Sequence, residues 1–321
     1  MIVATTPLRV PLGGGLTDLR AYAERFGGVT VSSTIALATY VSVLPPLDGR
    51  FEVHYAGGFE TAGSVEEVRH DLVREALRAS GMAGRPVRVA VWVDVAGESG
   101  LGTSGAITVG LLTALHAYRG EPITPERAAQ EAARIEVEVL AGASGYHDPH
   151  VCARGGLLRL EYQGAEVRSR PLRLAGARRA AFEASLMLFA SGRQARTKPS
   201  LDLLSAQFES AVPVLHDIKA LAYELEHALE GGDLTEAARC IGQKQHLKMR
   251  LPGQFSDAFV EDVVARVERC GAAAQVPGGK ISGYVLVCVP DAQHDAVRAA
   301  LSDLREVPLQ LSALGTRAHT L

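Results

Sequence analysis

Cysteine is scarce in this chain: Cys152, Cys240, Cys270 and Cys288 are its only four, and no two of them form a CxxC pair. That spacing excludes the usual zinc site and redox couple and leaves free thiols that pack as small hydrophobes. No long basic run interrupts the mixture of charges, and the formal net charge is only -3. Such a balance offers no electrostatic footprint to nucleic acid or to an anionic membrane surface, so neither is expected as a partner. No apolar run of about 18 residues occurs, and the opening MIVATTPLRVPLGG has no basic region followed by a long apolar stretch. A cytoplasmic protein without a membrane span is expected. Internal repeats, low-complexity tracts and Pro/Ser linkers are absent too.

What is present has the balance of a globular protein, with 47% hydrophobic and 21% charged residues among 321, enough for two intimately packed lobes. From Leu8 a short apolar strand breaks at Gly13, Gly14 and Gly15, a cluster that lets backbone approach a ligand. VTVSSTIALATYVSVLPP and RFEVHYAGG, rich in β-branched residues, predict further strands. Val65, Val68, Leu72, Val73, Ala76 and Leu77 share a helical face, which predicts a helix from Val65 to Ser80. RPVRVAVWVDVAG alternates as a strand, and the sequence then turns from a glycine-rich loop into an apolar helix. A second helix follows with Thr124 as N-cap and Pro125 in its first turn, after which GASGYHDPHVCARGG reads as a loop and LLRLEY as a strand. Past Pro171, one strand (ASLMLFA) precedes a helix-rich stretch from Ser200 to Gly271. KISGYVLVCVP, DAQHDAVRAALSDL and VPLQLSALG predict a closing strand, helix and strand. The expectation is an α+β protein divided into residues 1–165 and 166–321, the second part a helix-covered antiparallel sheet.

The strongest single feature is the run from Gly97 to Ala106, GESGLGTSGA, which opens the apolar helix. Glycines strip away side chains and allow positive φ, so successive amides can point at a polyphosphate, and the helix N-terminus adds its own donors and positive dipole end. The run is not a Walker A, which needs GKS or GKT, and no GxGxxG fits it.

GLGTSGA resembles the GLGSSxA loop of the GHMP kinases, the family named for galactokinase, homoserine kinase, mevalonate kinase and phosphomevalonate kinase. PLRVPLGGGLTDL is similar to the first motif of its heptose-phosphate and fucose-type sugar kinases, RxxxxGGGTDxP. GYHDPHVCARGG resembles their GKQDQYAAAYGG segment, and LFASGRQAR, HLKMRLP and AAQVPGGKISG resemble later segments of the same subgroup. The likeness runs over nearly the whole chain. It implies the GHMP kinase fold, with a ribosomal-protein-S5-like β-α-β lobe first, and ATP-dependent phosphorylation of a hydroxyl on a sugar or sugar phosphate. A heptose 7-phosphate-like acceptor stands first; fucose-like hexoses and secondary-metabolite sugars stay open, and a homodimer is compatible with the family.

The same resemblance implies roles for individual residues. Gly100, Leu101, Gly102, Thr103, Ser104 and Gly105 would cradle the phosphates of ATP. Mg2+ favours hard oxygen ligands, and Ser104 with Glu136 would hold it, Glu138 being a nearby rival. Asp148 matches the aspartate that accepts or orients the proton of the attacking hydroxyl, and Arg9 would stabilise the transferring phosphate. Gly14, Gly15, Thr17, Asp18 and His147 would bind the substrate. His147 and His150 alone, with no third ligand in view, do not make a metal site.

Two departures stand out. Tyr146 replaces the lysine of GKQDQ and His147 the glutamine after it. The family's GGKISG followed by AGGGG appears as GGKISGYVLVCVP without the glycine run, although Gly278, Gly279, Lys280 and Gly283 survive. Glu98 also adds an acid inside the phosphate loop. These motivate an alternative, a degenerate family member that binds nucleotide or sugar with little turnover.

Overall fold

The computed structural model describes residues 1–95, 99–142, 144–174, 176–193, 197–253, 255–278 and 283–321. Its chain opens with β1 (Ile2–Gly14), α1 (Arg20–Phe26), β2 (Gly28–Leu44), β3 (Phe51–Tyr55), β4 (Gly58–Ala62), α2 (Asp71–Ala79) and β5 (Arg88–Val93). It continues through α3 (Thr103–Tyr118), α4 (Pro125–Arg134), α5 (His147–Arg154), β6 (Leu157–Gln163) and β7 (Glu166–Pro171). Next come α6 (Ala177–Ala184), β8 (Leu186–Ala190), α7 (Thr197–Ala206), α8 (Phe208–Gly231), α9 (Leu234–Met249) and α10 (Ala258–Arg269). The chain closes with β9 (Ala273–Gln275), β10 (Tyr284–Cys288), α11 (His294–Ala300), β11 (Arg305–Val307) and β12 (Arg317–Thr320).

The first sheet is organised by the long antiparallel pair β1 and β2. One half of β2 pairs with β6 and the other with β5, while β3 joins β5 in parallel and β4 forms the edge. Two register shifts interrupt β1, between Pro7 and Arg9 and between Pro11 and Gly13. Proline cannot donate to a ladder, so both prolines sit where the ladder already slips, and the bulges bend the strand around Arg9. Helix α3 is buried along nearly its whole length, because it packs on β1 and β2 below and on α2, α4 and α5 beside it.

The second sheet runs β11-β8-β10-β9, all antiparallel. Strand β8 is buried on both faces. Leu186 and Leu188 join the core that α8 and α9 share with β1, whereas Met187 and Phe189 pack with α10 and α11. Through α8 and α9, which contact β1, one continuous core ties the two lobes together. Among the described residues no helix is long and apolar enough to cross a membrane.

Three expectations are corrected by tertiary contacts. The helix read from Val65 to Ser80 is a 3-10 turn, Val65–Glu67, followed by α2. The Glu60 carboxylate accepts the amides of Arg69 and His70 at 2.9 and 3.0 Å, and His70 then caps α2. The segment read as a loop around Asp148 contains α5. Pro149 lies in the first turn, where no intrahelical amide is needed, and the helix stops at Gly155 with φ +78°. VPLQLSALG is not the final strand: β11 ends before Pro308, Leu311 bridges to Ile35, and β12 pairs with β1. With β7 paired to β6 and β12 to β1, a cut after residue 165 would divide the first sheet instead of separating it from the second.

Candidate active site

Between the lobes lies a cavity of about 390 Å³, walled by β1, the glycine loop before α3, the start of α5 and α9. Arg9, set between the bulges of β1, is 6% exposed and reaches two walls at once. Its Nε and Nη2 donate to Asp148 Oδ1 at 2.8 and 2.7 Å, and its Nη1 donates to the Gly100 carbonyl at 2.6 Å. Its backbone amide donates to the Leu101 carbonyl at 3.0 Å. One guanidinium therefore fixes the glycine loop relative to the carboxylate.

The loop turns through positive φ at Gly100 and Gly102, +77° and +79°, and Gly102 is the residue from which α3 starts. Ser99 braces the turn, its hydroxyl 2.8 Å from that of Thr103 and accepting the Leu101 amide at 3.1 Å. Ser99, Gly100, Gly102, Thr103 and Ser104 line the cavity. Leu101 instead sends its side chain into the core, and Gly105 faces α5 so closely that a Cβ there would lie 2.7 Å from the Asp148 Cβ. Glu98 and Gly97 lie outside the described residues, as do Gly279, Lys280, Gln194, Ala195 and Arg196. The flanks of the shortened glycine segment both rest on the loop: Cβ atoms on Gly278 and Gly283 would meet Gly100 Cα at 2.8 Å and Ser99 Cα at 3.4 Å.

Asp148, His147 and Asp18 form a second cluster. His147 Nδ1 is 3.1 Å from Asp148 Oδ1, and the His147 amide donates to Asp18 Oδ2 at 3.3 Å. Burial alone would raise the Asp148 pKa, but the charge of Arg9 and the contact with His147 hold it well below the usual carboxylate range. Its side chain keeps 22% exposure. Asp18 shifts the other way, raised by burial and by the neighbouring Asp148 charge. Gly145 is packed so tightly on Asp18 that a Cβ would overlap its carboxylate.

Glu136 is 5% exposed and lies in a π-turn, Ile135–Val139, that extends α4. Burial pushes its pKa up to about 7, with the Asp148 charge adding to the rise and the nearby Ser104 and Thr108 hydroxyls opposing it. Its Oε1 is buried without a hydrogen-bond partner. A hydroxyl beside an orphaned carboxylate oxygen is a donor set that fits a hard divalent cation such as Mg2+. His150, which burial brings down to about 4, is uncharged at neutral pH.

Of the sequence-predicted substrate residues, Gly14, Gly15, Asp18 and His147 line the cavity. Thr17 does not. Its hydroxyl donates to the Val29 carbonyl at 2.9 Å and accepts the Val29 amide at 3.2 Å, so both of its capacities hold β2 to the glycine turn. Tyr146 joins a core with Ala23, Val151 and Leu160 rather than facing the cavity. Among the cavity residues to which the sequence assigned no role are three lysines: Lys198 on α7, and Lys244 and Lys248 on α9. The signal for the last two is their spacing, four apart on the face of α9 that also carries the buried Ala237, Cys240 and Ile241.

Residues 68–156 match the family model of the GHMP kinases N terminal domain. The chain is 24% identical over 291 residues to the D-glycero-alpha-D-manno-heptose 7-phosphate kinase of Campylobacter jejuni, spanning 87% of this chain and 85% of that protein. The crystal structure of a D-glycero-D-manno-heptose 1-phosphate kinase from Bacteroides thetaiotaomicron has the same fold. Its TM-score is 0.82 at 24% identity, covering 100% of this chain and 99% of that one. Streptococcus pneumoniae phosphomevalonate kinase, solved with phosphomevalonate and AMPPNP, gives a TM-score of 0.80 at 12% identity over 97% of this chain and 100% of that one. Fold and domain match together place the chain among proteins with the two-lobed architecture of small-molecule kinases. Residues 68–156 thus carry the GHMP kinase N-terminal domain, and the chain as a whole has the fold of those kinases.

Proposed function

We propose that this protein transfers the terminal phosphoryl group of ATP to a hydroxyl of a sugar or sugar phosphate, with a heptose 7-phosphate-like acceptor as the first candidate. The observation that carries this reading is Arg9, which binds Asp148 with one edge of its guanidinium and the Gly100 carbonyl of the glycine loop with another. An anion held by the loop amides and a hydroxyl held by the carboxylate would thus face each other across a fixed cation. The names of the Campylobacter relative and of the nucleotide-bound phosphomevalonate kinase support the acceptor class and the donor.

Phosphoryl transfer needs positioning and charge stabilisation more than covalent chemistry from the protein. The loop amides and the start of α3 bind the polyphosphate. Ser104 and Glu136 would hold Mg2+, which neutralises charge on the phosphates when bound. Asp148, kept ionised by Arg9, is a weak base but a strong hydrogen-bond acceptor. It orients the attacking hydroxyl and takes its proton late, once bond formation has made that proton acidic. Asp18 and the His147 segment grip the remaining hydroxyls of the acceptor.

The test is incubation with Mg-ATP and a panel of D-glycero-D-manno-heptose 7-phosphate, hexoses and cyclitols, followed by phosphorus NMR for ADP. Acceptor-dependent ADP, reduced by about 10²- to 10⁴-fold in Asp148→Asn, is expected. Nucleotide binding by calorimetry with no acceptor-dependent ADP from any of these compounds would point instead to a binding protein.

A further inference from the structure

The cavity holds a cation that the phosphate loop does not require. Lys244 is 7% exposed, lines the cavity, and among the described residues has no ion pair; its ammonium donates to Gln275 Oε1 at 2.8 Å. Gln275 is itself fixed, its side-chain amide donating to the Pro11 carbonyl of β1. The charged groups that face Lys244 are Lys248 from its own helix, Arg9 from β1 and Asp18 from the turn after β1. Two of these three repel it. Burial and that repulsion lower its pKa well below the ordinary lysine value. A buried ammonium in such company is costly unless an anion arrives to share the site.

The arrangement of α9 says where that anion sits. Lys248, one turn further along, donates to the carbonyls of Val276 and Gly278 at 2.8 and 2.5 Å. Gly278 in turn rests on Gly100, so Lys248 belongs to the phosphate-loop side of the cavity. Lys244 is tied instead through Gln275 to Pro11 of β1, the strand that runs on into Gly14, and Asp18 is the anion whose charge favours its ammonium.

We propose that Lys244 recognises a phosphate group carried by the acceptor, so that the protein selects a phosphorylated sugar over the neutral one. This deepens the kinase reading and rests on it for the identity of the reaction. The chemistry that an ammonium reads, a phosphate dianion, could also belong to ATP, and the experiment separates the two sources.

Kinetics of the full-length protein are measured with D-glycero-D-manno-heptose 7-phosphate, with the unphosphorylated heptose and with ATP, for wild type, Lys244→Met and Lys244→Arg. Wild type should prefer the phosphorylated acceptor in kcat/KM. Lys244→Met should raise KM for that acceptor by about 10- to 100-fold, the usual worth of a hydrogen bond to a charged group, and should abolish the preference. KM for ATP should stay within about twofold, and Lys244→Arg should retain part of the preference. The proposal is overturned if wild type uses the neutral heptose as well as the phosphorylated one, a comparison that needs no variant to fold. It is overturned equally if Lys244→Met raises KM for ATP alone. Calorimetric binding of the heptose 7-phosphate with AMPPNP present keeps the two readings apart. Binding that Lys244→Met abolishes, in a protein that forms no ADP, would sink the kinase reading and leave the subsite standing. Turnover that is indifferent to Lys244→Met would do the reverse.

Discussion

Gly105 and Asp148 are in backbone-to-backbone contact: a Cβ on Gly105 would stand 2.7 Å from the Asp148 Cβ and 2.9 Å from the Pro149 nitrogen. The start of α3 and the start of α5 are thereby brought together with no side chain between them. The same absence of a side chain that suits a phosphate loop also sets the depth at which the carboxylate sits beneath it.

Gly105→Ala should therefore act on chemistry more than on substrate binding. The added methyl must push α5 aside, and a displacement on the order of 1 Å at the reacting groups can cost about 100-fold in rate. Steady-state kinetics should show kcat falling by roughly that factor, with a stability loss of about 1–3 kcal/mol in chemical denaturation, typical of overpacking.

Arg9→Lys should not be conservative. The guanidinium uses three nitrogens at once, two on Asp148 and one on the Gly100 carbonyl, and an ammonium cannot span both. A drop of about 10- to 100-fold in kcat/KM is expected, and Arg9→Met should be worse because it leaves the half-buried Asp148 without its counter-charge.

Glu136 sets a pH dependence in metal-free protein. Its pKa rises from 4.5 to about 7 on folding, so the folded state favours the protonated acid. The stability this confers is complete below pH about 4.5 and is lost as pH rises through about 7, an amount on the order of 3 kcal/mol. In the presence of chelator, Glu136→Gln should match wild type in urea denaturation at pH 4.5 and exceed it at pH 8. Adding Mg2+ at pH 8 should raise the wild type toward the variant, and equal stabilities at pH 8 in chelator would contradict the buried acid.

Thr17 separates a structural from a ligand-binding role. Because its hydroxyl serves both the amide and the carbonyl of Val29, Thr17→Val should cost about 2 kcal/mol by leaving buried backbone groups unpaired. KM for the acceptor should be unchanged in whatever fraction remains folded, and a large rise in KM would return Thr17 to the substrate site.

The glycine loop and the strand and helix that flank it were readable from the sequence, since a run such as Gly100-Leu101-Gly102-Thr103-Ser104 admits few other uses. Arg9, Asp18 and Asp148 were readable only through the family resemblance, because a lone charged residue beside a turn carries no signal of its own. Local patterning misplaced the start of α2, where the Glu60 side chain takes the amides that a longer helix would have kept. It also missed α5, which Pro149 and the glycines on either side of it made look like a loop. For Thr17 the motif records which residue is present, not that the Val29 backbone takes up its hydrogen bonds.

The amino-acid order by itself determined the alternating strands of the first lobe, the helical periodicity of the second and an anion-binding turn, all of which follow from contacts among near neighbours in the chain. The tertiary structure alone decided that Arg9, Gly100 and Asp148 share one hydrogen-bonded unit, that β12 returns to β1, and that Lys244 lines the cavity without an ion pair among the described residues. These are juxtapositions across tens to hundreds of residues. They are fixed by how two buried cores close around a cavity, which no local pattern records.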